Sequence, residues 1–298
     1  MCARFLPSAL AAILAASSLP ASAEPRAVAP VADFLAACAG RDGWGDAAPP
    51  VHLFANVYGV GTCGITSLLV TSGEGLVLID GGPEEAAQPI LANIRRLGFA
   101  PQDVKWILSS HEHGDHAGGV AELQRTTGAK IAALETAKAA LESGTADPSD
   151  PQAGIAPPFP PIRVDRVLRD GDRVELGPIA LTAHATPTHS PGSTSWTWRS
   201  CEEAVCLSIA YADSVSTISA DGYRFSDHPG YVANVRRGLD VIGGLDCDVL
   251  ITPHPSASRL HERLAEKALI DPAACAAYAE NARQALAERL TGEAEGAQ

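Results

Sequence analysis

After its first two dozen residues the sequence has no apolar run near the roughly 20 residues a helix needs to cross a bilayer. It has no C-x-x-C pair, the spacing that a cysteine-bound metal prefers. Neither S-x-x-K nor G-x-S-x-G occurs, so two common signatures of a serine nucleophile are missing. Positive charge is scarce: 22 Lys and Arg stand against 35 Asp and Glu, a net charge of −13. A field of that sign repels nucleic acid and anionic lipid. Short repeats and an obvious linker are also absent, and one globular unit is expected.

What is present begins with MCARFLPSALAAILAASSLPASA. Arg4, the apolar stretch from Leu10 to Leu14, and the small residues Ala21 and Ala23 read as a secretory signal peptide over residues 1–23, cleaved before Glu24. Residues 24–298 are then a single exported, periplasmic domain. Of the seven cysteines, Cys2 leaves with the leader, and six remain: Cys38, Cys63, Cys201, Cys206, Cys247 and Cys275. An even number in an exported chain points to disulfides, with fifteen connectivities possible on paper. Cys201 and Cys206 flank EEAV between two strand-like runs, where a local clasp fits.

The periodicity changes along the chain. VADFLAACAG is a short helical patch in an Ala- and Pro-rich opening. VHLFANVYGV, ITSLLVTS and GLVLIDGG read as strands, with TSGEGL as a hairpin turn. Ile90, Leu91, Ile94 and Leu97 mark a helix from about Glu84 to Leu97 that Gly98 stops. VKWILSS is a strand and AGGVAELQRTTG a helix, followed by a strand and helix in IAALETAKAALESG. Proline-dense TADPSDPQAGIAPPFPP, residues 145–161, cannot be regular structure and is expected to border a binding groove. RVLRDGDRVELG and IALTAHATP read as strand hairpins, then come the strands STSWTWRS and AVCLSIAYAD. HPGYVANVRRGLDVIGG is a helix, CDVLITPHP a buried strand, and a C-terminal helix has Asp271 at its N-cap and Pro272 at N1. This order favours two packed β-sheets with helices outside.

The stretch SSHEHGDHAGG, residues 109–119, sits where a strand hands over to a helix, the edge at which ligands gather in sheet-and-helix proteins. His111 and His113 are two apart and can face one side, while Asp115 and His116 follow a glycine. Zinc is bound by imidazole nitrogen and carboxylate oxygen, and four ligands on one loop can serve two neighbouring ions. The shells need more donors from elsewhere. Among the nine histidines, His189 in THSPGSTSW and His254 in ITPHPSAS both follow strand-like runs. His52, His184, His228 and His261 lack that setting and read as ordinary histidines. Glu112 alternates away from its neighbours and is expected to face elsewhere, as a solvated group or a group behind the ligands.

The H-x-H-x-D-H string, the earlier LVLIDGG, and the later THSPGSTSW and TPHPSAS, in this order, resemble a metallo-β-lactamase of subclass B3 over essentially the whole mature chain. The resemblance implies an α/β fold, a four-layer αββα sandwich of two mixed β-sheets flanked by helices, with two zinc ions per chain at the shared edge of the sheets. By that pattern His111, His113 and His189 hold one ion, and Asp115, His116 and His254 the other. Asp115 and His116 are also the catalytic candidates. Ser214 and Ser216 in ADSVS, read as sharing a face at a strand end, are placed to hydrogen-bond a substrate carboxylate. Thr188 departs from the family, which often has glycine before the third histidine. The resemblance also pairs Cys247 with Cys275, and the remaining four cysteines suggest Cys201 with Cys206 and Cys38 with Cys63.

The implied activity is zinc-dependent hydrolysis of the β-lactam amide of penicillins, cephalosporins and carbapenems by a zinc-bound hydroxide, which confers antibiotic resistance. The expected partner is that small molecule alone, bound by a monomer, with no nucleic acid and no membrane. Two other readings compete. A hydrolase of the same fold acting on a lactone, thioester or phosphodiester would place a metal-bridging carboxylate near Asp213 or Ser214. A non-catalytic binding module would be expected to have lost ligands, whereas all six are present.

Overall fold

The computed structural model describes Met1 and residues 30–296, so the rest of the leader read over residues 1–23 lies outside the described residues. In chain order the elements are α1 (Val31–Cys38), β1 (Val51–Phe54), β2 (Val57–Gly59), β3 (Leu68–Ser72), β4 (Gly75–Ile79), α2 (Ala87–Arg96), β5 (Val104–Leu108), α3 (Gly114–Ala117), α4 (Val120–Thr127), β6 (Lys130–Leu134) and α5 (Glu135–Ser143). They continue as β7 (Arg166–Leu168), β8 (Arg173–Leu176), β9 (Ile179–Ala185), β10 (Thr194–Glu202), β11 (Val205–Tyr211), α6 (Pro229–Gly243), β12 (Val249–Ile251), α7 (Leu260–Ala265) and α8 (Ala274–Ala294). The first sheet runs β1 to β7 in sequence order, antiparallel as far as β4 and parallel beyond it. The second has the order β12-β11-β10-β9-β8, and only β11 and β12 are parallel.

Strand alternation explains why these runs make four layers. Successive side chains point to opposite faces, and β4 is apolar on both. Val77 and Ile79 pack against the second sheet with Leu181, Ala183, Trp196, Ile209 and Tyr211, while Leu76 and Leu78 pack outward against Ile90, Leu91 and Ile94 of α2. The second sheet turns Ala210 and Leu250 outward against Ile242 of α6 and Tyr278 and Ala279 of α8. Each fully buried Leu or Ile contributes about 1.5–3 kcal/mol. The expected αββα sandwich of two mixed sheets is therefore the observed architecture.

All three expected disulfides are present: Cys38–Cys63, Cys201–Cys206 and Cys247–Cys275. Three local expectations need correction. RVL of β7 does not hairpin with β8 but pairs in parallel with β6, closing the first sheet. The C-terminal helix begins at Ala274 rather than after Asp271. Asp271 accepts from the Ala273 amide at 3.0 Å and from the Ala274 amide through its carbonyl, so it caps the turn that leads into the helix. ADSVS is not a strand end, because β11 stops at Tyr211 and Ser214 and Ser216 lie in the loop beyond it.

Candidate metal centre

The β5 strand delivers Ser109 to His113 to the common edge of the sheets, and the single turn of α3 then presents Asp115 and His116. The chain can reverse so tightly here because of Gly118 and Gly119. A Cβ at Gly118 would stand 2.8 Å from the Glu84 amide nitrogen, just past the LIDGG turn, and one at Gly119 would stand 2.4 Å from the Gly81 carbonyl oxygen. Both glycines therefore let the ligand loop press against the LIDGG turn. Asp80 of that turn adopts φ +63°, an uncommon left-handed conformation for a residue other than glycine. Its carboxylate accepts from the Ser110 amide at 2.7 Å, the Ser110 hydroxyl at 2.6 Å and the Tyr211 hydroxyl at 2.7 Å. One buried carboxylate thereby fixes where the ligand loop begins.

The six candidate ligands, drawn from three loops, form two groups. His111, His113 and His189 form a near-equilateral triangle, with ring centroids 4.9, 4.8 and 4.9 Å apart. One nitrogen of each ring is held from behind. His111 Nδ1 pairs with Asp213 Oδ1 at 2.8 Å, His113 Nε2 with Asp150 Oδ2 at 2.8 Å, and His189 Nδ1 with the Ser216 hydroxyl and carbonyl at 3.1 Å each. One ligand atom of each ring lies within 4.8 Å of those of the other two. His189 Nε2 also meets Gln152 Nε2 at 3.1 Å, whereas His111 Nε2 is buried with no hydrogen-bond partner. A buried, unpartnered imidazole nitrogen among others is costly unless something electrophilic sits there. In the second group, His116 Nε2 is 3.1 Å from Asp115 Oδ2 and 3.2 Å from His254 Nε2, which is itself 3.3 Å from Asp115 Oδ2. Two nitrogens and a carboxylate oxygen thus converge beside the triangle, and the donor set suits a divalent cation.

The electrostatics agree. Burial pushes His111 well below the usual histidine range and His189 down to about 3, with the neighbouring imidazoles adding to the shift, so both rings are neutral as a metal ligand must be. Burial would raise Asp115, but His116, His254 and His111 hold its carboxyl far below the usual range. His116 is depressed by burial yet lifted to about 10 by Asp115 and Asp80. Its proton is the one that a cation would displace.

Several supporting residues carry no motif of their own. Asp150 and Gln152 belong to the proline-dense loop, and Gln152 Nε2 lies 3.1 Å from His189 Nε2, so this loop enters the site as well as bordering it. Glu112 does face away from the ligands. It is fully buried rather than solvated, and burial raises its carboxyl to about 7. Thr188, where the family often has glycine, donates its hydroxyl to the Ser214 carbonyl at 2.7 Å and so anchors the His189 loop. Ser214 is buried and Ser216 exposed beside His189. Asp213 sits behind His111, on the ring nitrogen that faces away from the triangle. His52, His184, His228 and His261 bond or stack elsewhere, with Ala55, Thr197, Tyr223 and Phe34 respectively.

This fold and donor set define a class. A sequence model of the metallo-beta-lactamase superfamily matches residues 60–206, and the chain belongs to that superfamily. The crystal structure of the metallo-β-lactamase MIM-1 from Novosphingobium pentaromativorans is 57% identical, with a TM-score of 0.87 over 89% of this chain and 99% of that one. MEM-A1, a subclass B3 metallo-β-lactamase isolated from a soil metagenome library, is 41% identical, with a TM-score of 0.81 over 85% of this chain and 100% of its own. Within the superfamily, the chain's place is with subclass B3. A hydroxyacylglutathione hydrolase of Anaeromyxobacter dehalogenans (strain 2CP-C) is 33% identical over 130 residues, 44% of this chain, and the match spans only 40% of that enzyme's length.

Proposed function

We propose that the mature chain is an exported, periplasmic, monomeric β-lactamase that binds two zinc ions and opens the amide bond of penicillins, cephalosporins and carbapenems. The observation that carries this reading is the grouping of His111, His113, His189, Asp115 and His116, with His254 Nε2 beside the last two, in a chain 57% identical to MIM-1 over 89% of its length. In this reading His111, His113 and His189 hold one ion, and Asp115, His116 and His254 the other. Bound zinc supplies water activation near neutral pH and polarisation of the scissile carbonyl.

The protein's own groups do the rest. Asp213 and Asp150 fix the tautomers of His111 and His113 and raise the basicity of the nitrogens that face the ions. Asp115 is about one-eighth exposed at its side chain and stays anionic, so it orients the attacking water as well as binding. Ser214 and Ser216 are assigned to the substrate carboxylate, and the exposed middle of the proline-dense loop to its ring substituents. The three disulfides support export to an oxidising compartment.

The deciding experiment assays a penicillin, a chromogenic cephalosporin, a carbapenem, a lactone and a glutathione thioester side by side, with and without chelator. Turnover of the three lactams that disappears with chelator, returns with zinc and resists serine-directed inactivators is the expected result. Zinc-loaded, folded protein that leaves every lactam intact overturns the reading. The thioester reading has the local similarity to hydroxyacylglutathione hydrolases in its favour. The Asp213 geometry opposes it, since this carboxylate pairs with the far side of His111.

A further inference from the structure

Glu112 stands between two ligands, and the chemistry above makes no use of it. Both its oxygens are taken by the loop that carries His189. Oε2 accepts from the Ser190 hydroxyl at 2.8 Å, and Oε1 accepts from the Gly192 amide at 2.8 Å. Removing a carboxylate from water costs several kcal/mol unless hydrogen bonds replace its hydration, so both contacts are needed for this residue to be tolerated there. The contact is also tight. A Cβ at Gly192 would stand 2.6 Å from Glu112 Oε2 and 2.6 Å from the Ala137 Cβ, which leaves no room for any side chain.

Other bonds brace the same seam. The Ser190 amide donates to Ser193 Oγ at 3.0 Å, and the Thr194 amide donates to the Ser110 carbonyl at 2.7 Å. The first bond holds the turn after His189 in shape, and the second, with the two bonds of Glu112, joins residues 110–112 to residues 190–194. His111 and His113 lie in the loop that follows β5, whereas His189 arrives on the loop between β9 and β10, far away along the chain. Something must set the distance between the two segments before an ion can bind all three rings.

We propose that Glu112 is a positioning residue whose two hydrogen bonds lock the His189 loop onto the His111 and His113 loop and so set the spacing of the three-histidine metal site. The inference rests on those three histidines sharing one ion, and it is tested by structure and metal retention rather than by lactam turnover.

Glu112→Ala, Glu112→Gln and Ser190→Ala are compared with the wild type in two measurements. The first is amide hydrogen exchange of the metal-free proteins. The Gly192 amide should exchange at least tenfold faster in Glu112→Ala and stay protected in Glu112→Gln, whose side-chain oxygen still accepts from it. The second is zinc retention by chelator competition. Glu112→Ala should weaken one of the two ions by roughly 10–100-fold, the range seen when a ligand's supporting partner is removed. Glu112→Gln should stay within about threefold, and Ser190→Ala should fall between.

Faster exchange at Gly192 with unchanged zinc retention would reduce Glu112 to a structural role and overturn the proposal. Unchanged exchange, or a Glu112→Gln variant as impaired as Glu112→Ala, would overturn it too, the latter because charge rather than bridging would then matter. Should Glu112→Ala fail to fold, Ser190→Ala and Glu112→Gln still decide. Failure of the wild type to hydrolyse lactams would sink the β-lactamase assignment and leave this result standing.

Discussion

At the scale of single residues, ligands and the groups behind them should separate cleanly on substitution. His116→Ala removes one of three donors from the group completed by Asp115 and His254. Metal analysis should then find about one zinc per chain, and kcat should fall by roughly 10² or more if the loss matches that of one strong electrostatic donor. Asp213→Asn keeps an oxygen that can accept from His111 Nδ1, so zinc should stay near two per chain while the rate falls about tenfold. Loss of an ion from folded Asp213→Asn would instead mean a metal-bound carboxylate and would favour the thioester or lactone readings. The candidate ligands are legible in the sequence because four of them share one local string after a strand and the other two follow strand ends. Their supports are not. Asp150 meets His113 from a loop with no periodic signal, Asp213 meets His111 across more than a hundred positions, and Glu112 hides in a variable position of the motif. Only the folded chain brings those pairs together.

At the scale of elements, the C-terminal helix α8 is secured at both ends, and each fastening has a measurable consequence. Near its start, Cys275 is bonded to Cys247 just before β12, with a sequence separation of 28. Closing a loop of that size stabilises by about 3 to 4 kcal/mol in the chain-entropy model, so Cys247→Ser with Cys275→Ser should lower Tm by roughly 10 °C. An unchanged Tm would show the bond to be absent or redundant. Near its end, buried Glu293 accepts from the Phe225 amide at 3.0 Å, the Ser226 amide at 2.8 Å and Arg289 Nε at 2.7 Å. Burial would raise this carboxyl, but these donors outweigh it and bring it to about 2. A depressed folded-state value contributes stability that is fully present above the unfolded value of about 4.3 and is lost as pH falls towards 2. Unfolding titrations should therefore show the wild type losing stability over that window more steeply than Glu293→Gln, and parallel curves would refute the role. Element type was read correctly almost throughout, because the apolar period was strong in β4, β5 and α2. The misread features are the partner of a three-residue strand, a helix start and a strand end, where a partner strand or a turn decides and the local pattern is too short to do so.

At the scale of the whole molecule, the candidate centre lies where the two sheets meet. The loop after β5 brings four donors from the first sheet, and those after β9 and β12 bring one each from the second. Metal binding and the mutual seating of the halves are thus linked. An ion at about 100 times its Kd stabilises by about 2.7 kcal/mol, so thorough chelation should lower Tm by roughly 5 to 10 °C, reversibly on adding zinc. A Tm indifferent to chelator would show that the ions bind a frame already complete without them. The proline-dense loop belongs to this same frame and has two characters. Asp150 at one end is buried against His113 and Phe159 at the other is packed into the core, whereas Ala153, Gly154, Ile155, Pro157 and Pro158 between them are exposed. Substitutions and changes of length in that middle stretch leave the histidine's support untouched, while the same changes near Asp150 do not. With this stretch assigned to the substrate's ring substituents, libraries for altered substrate preference belong at these few positions, and variants there should keep zinc retention at the wild-type level while changing relative rates on the three lactam classes.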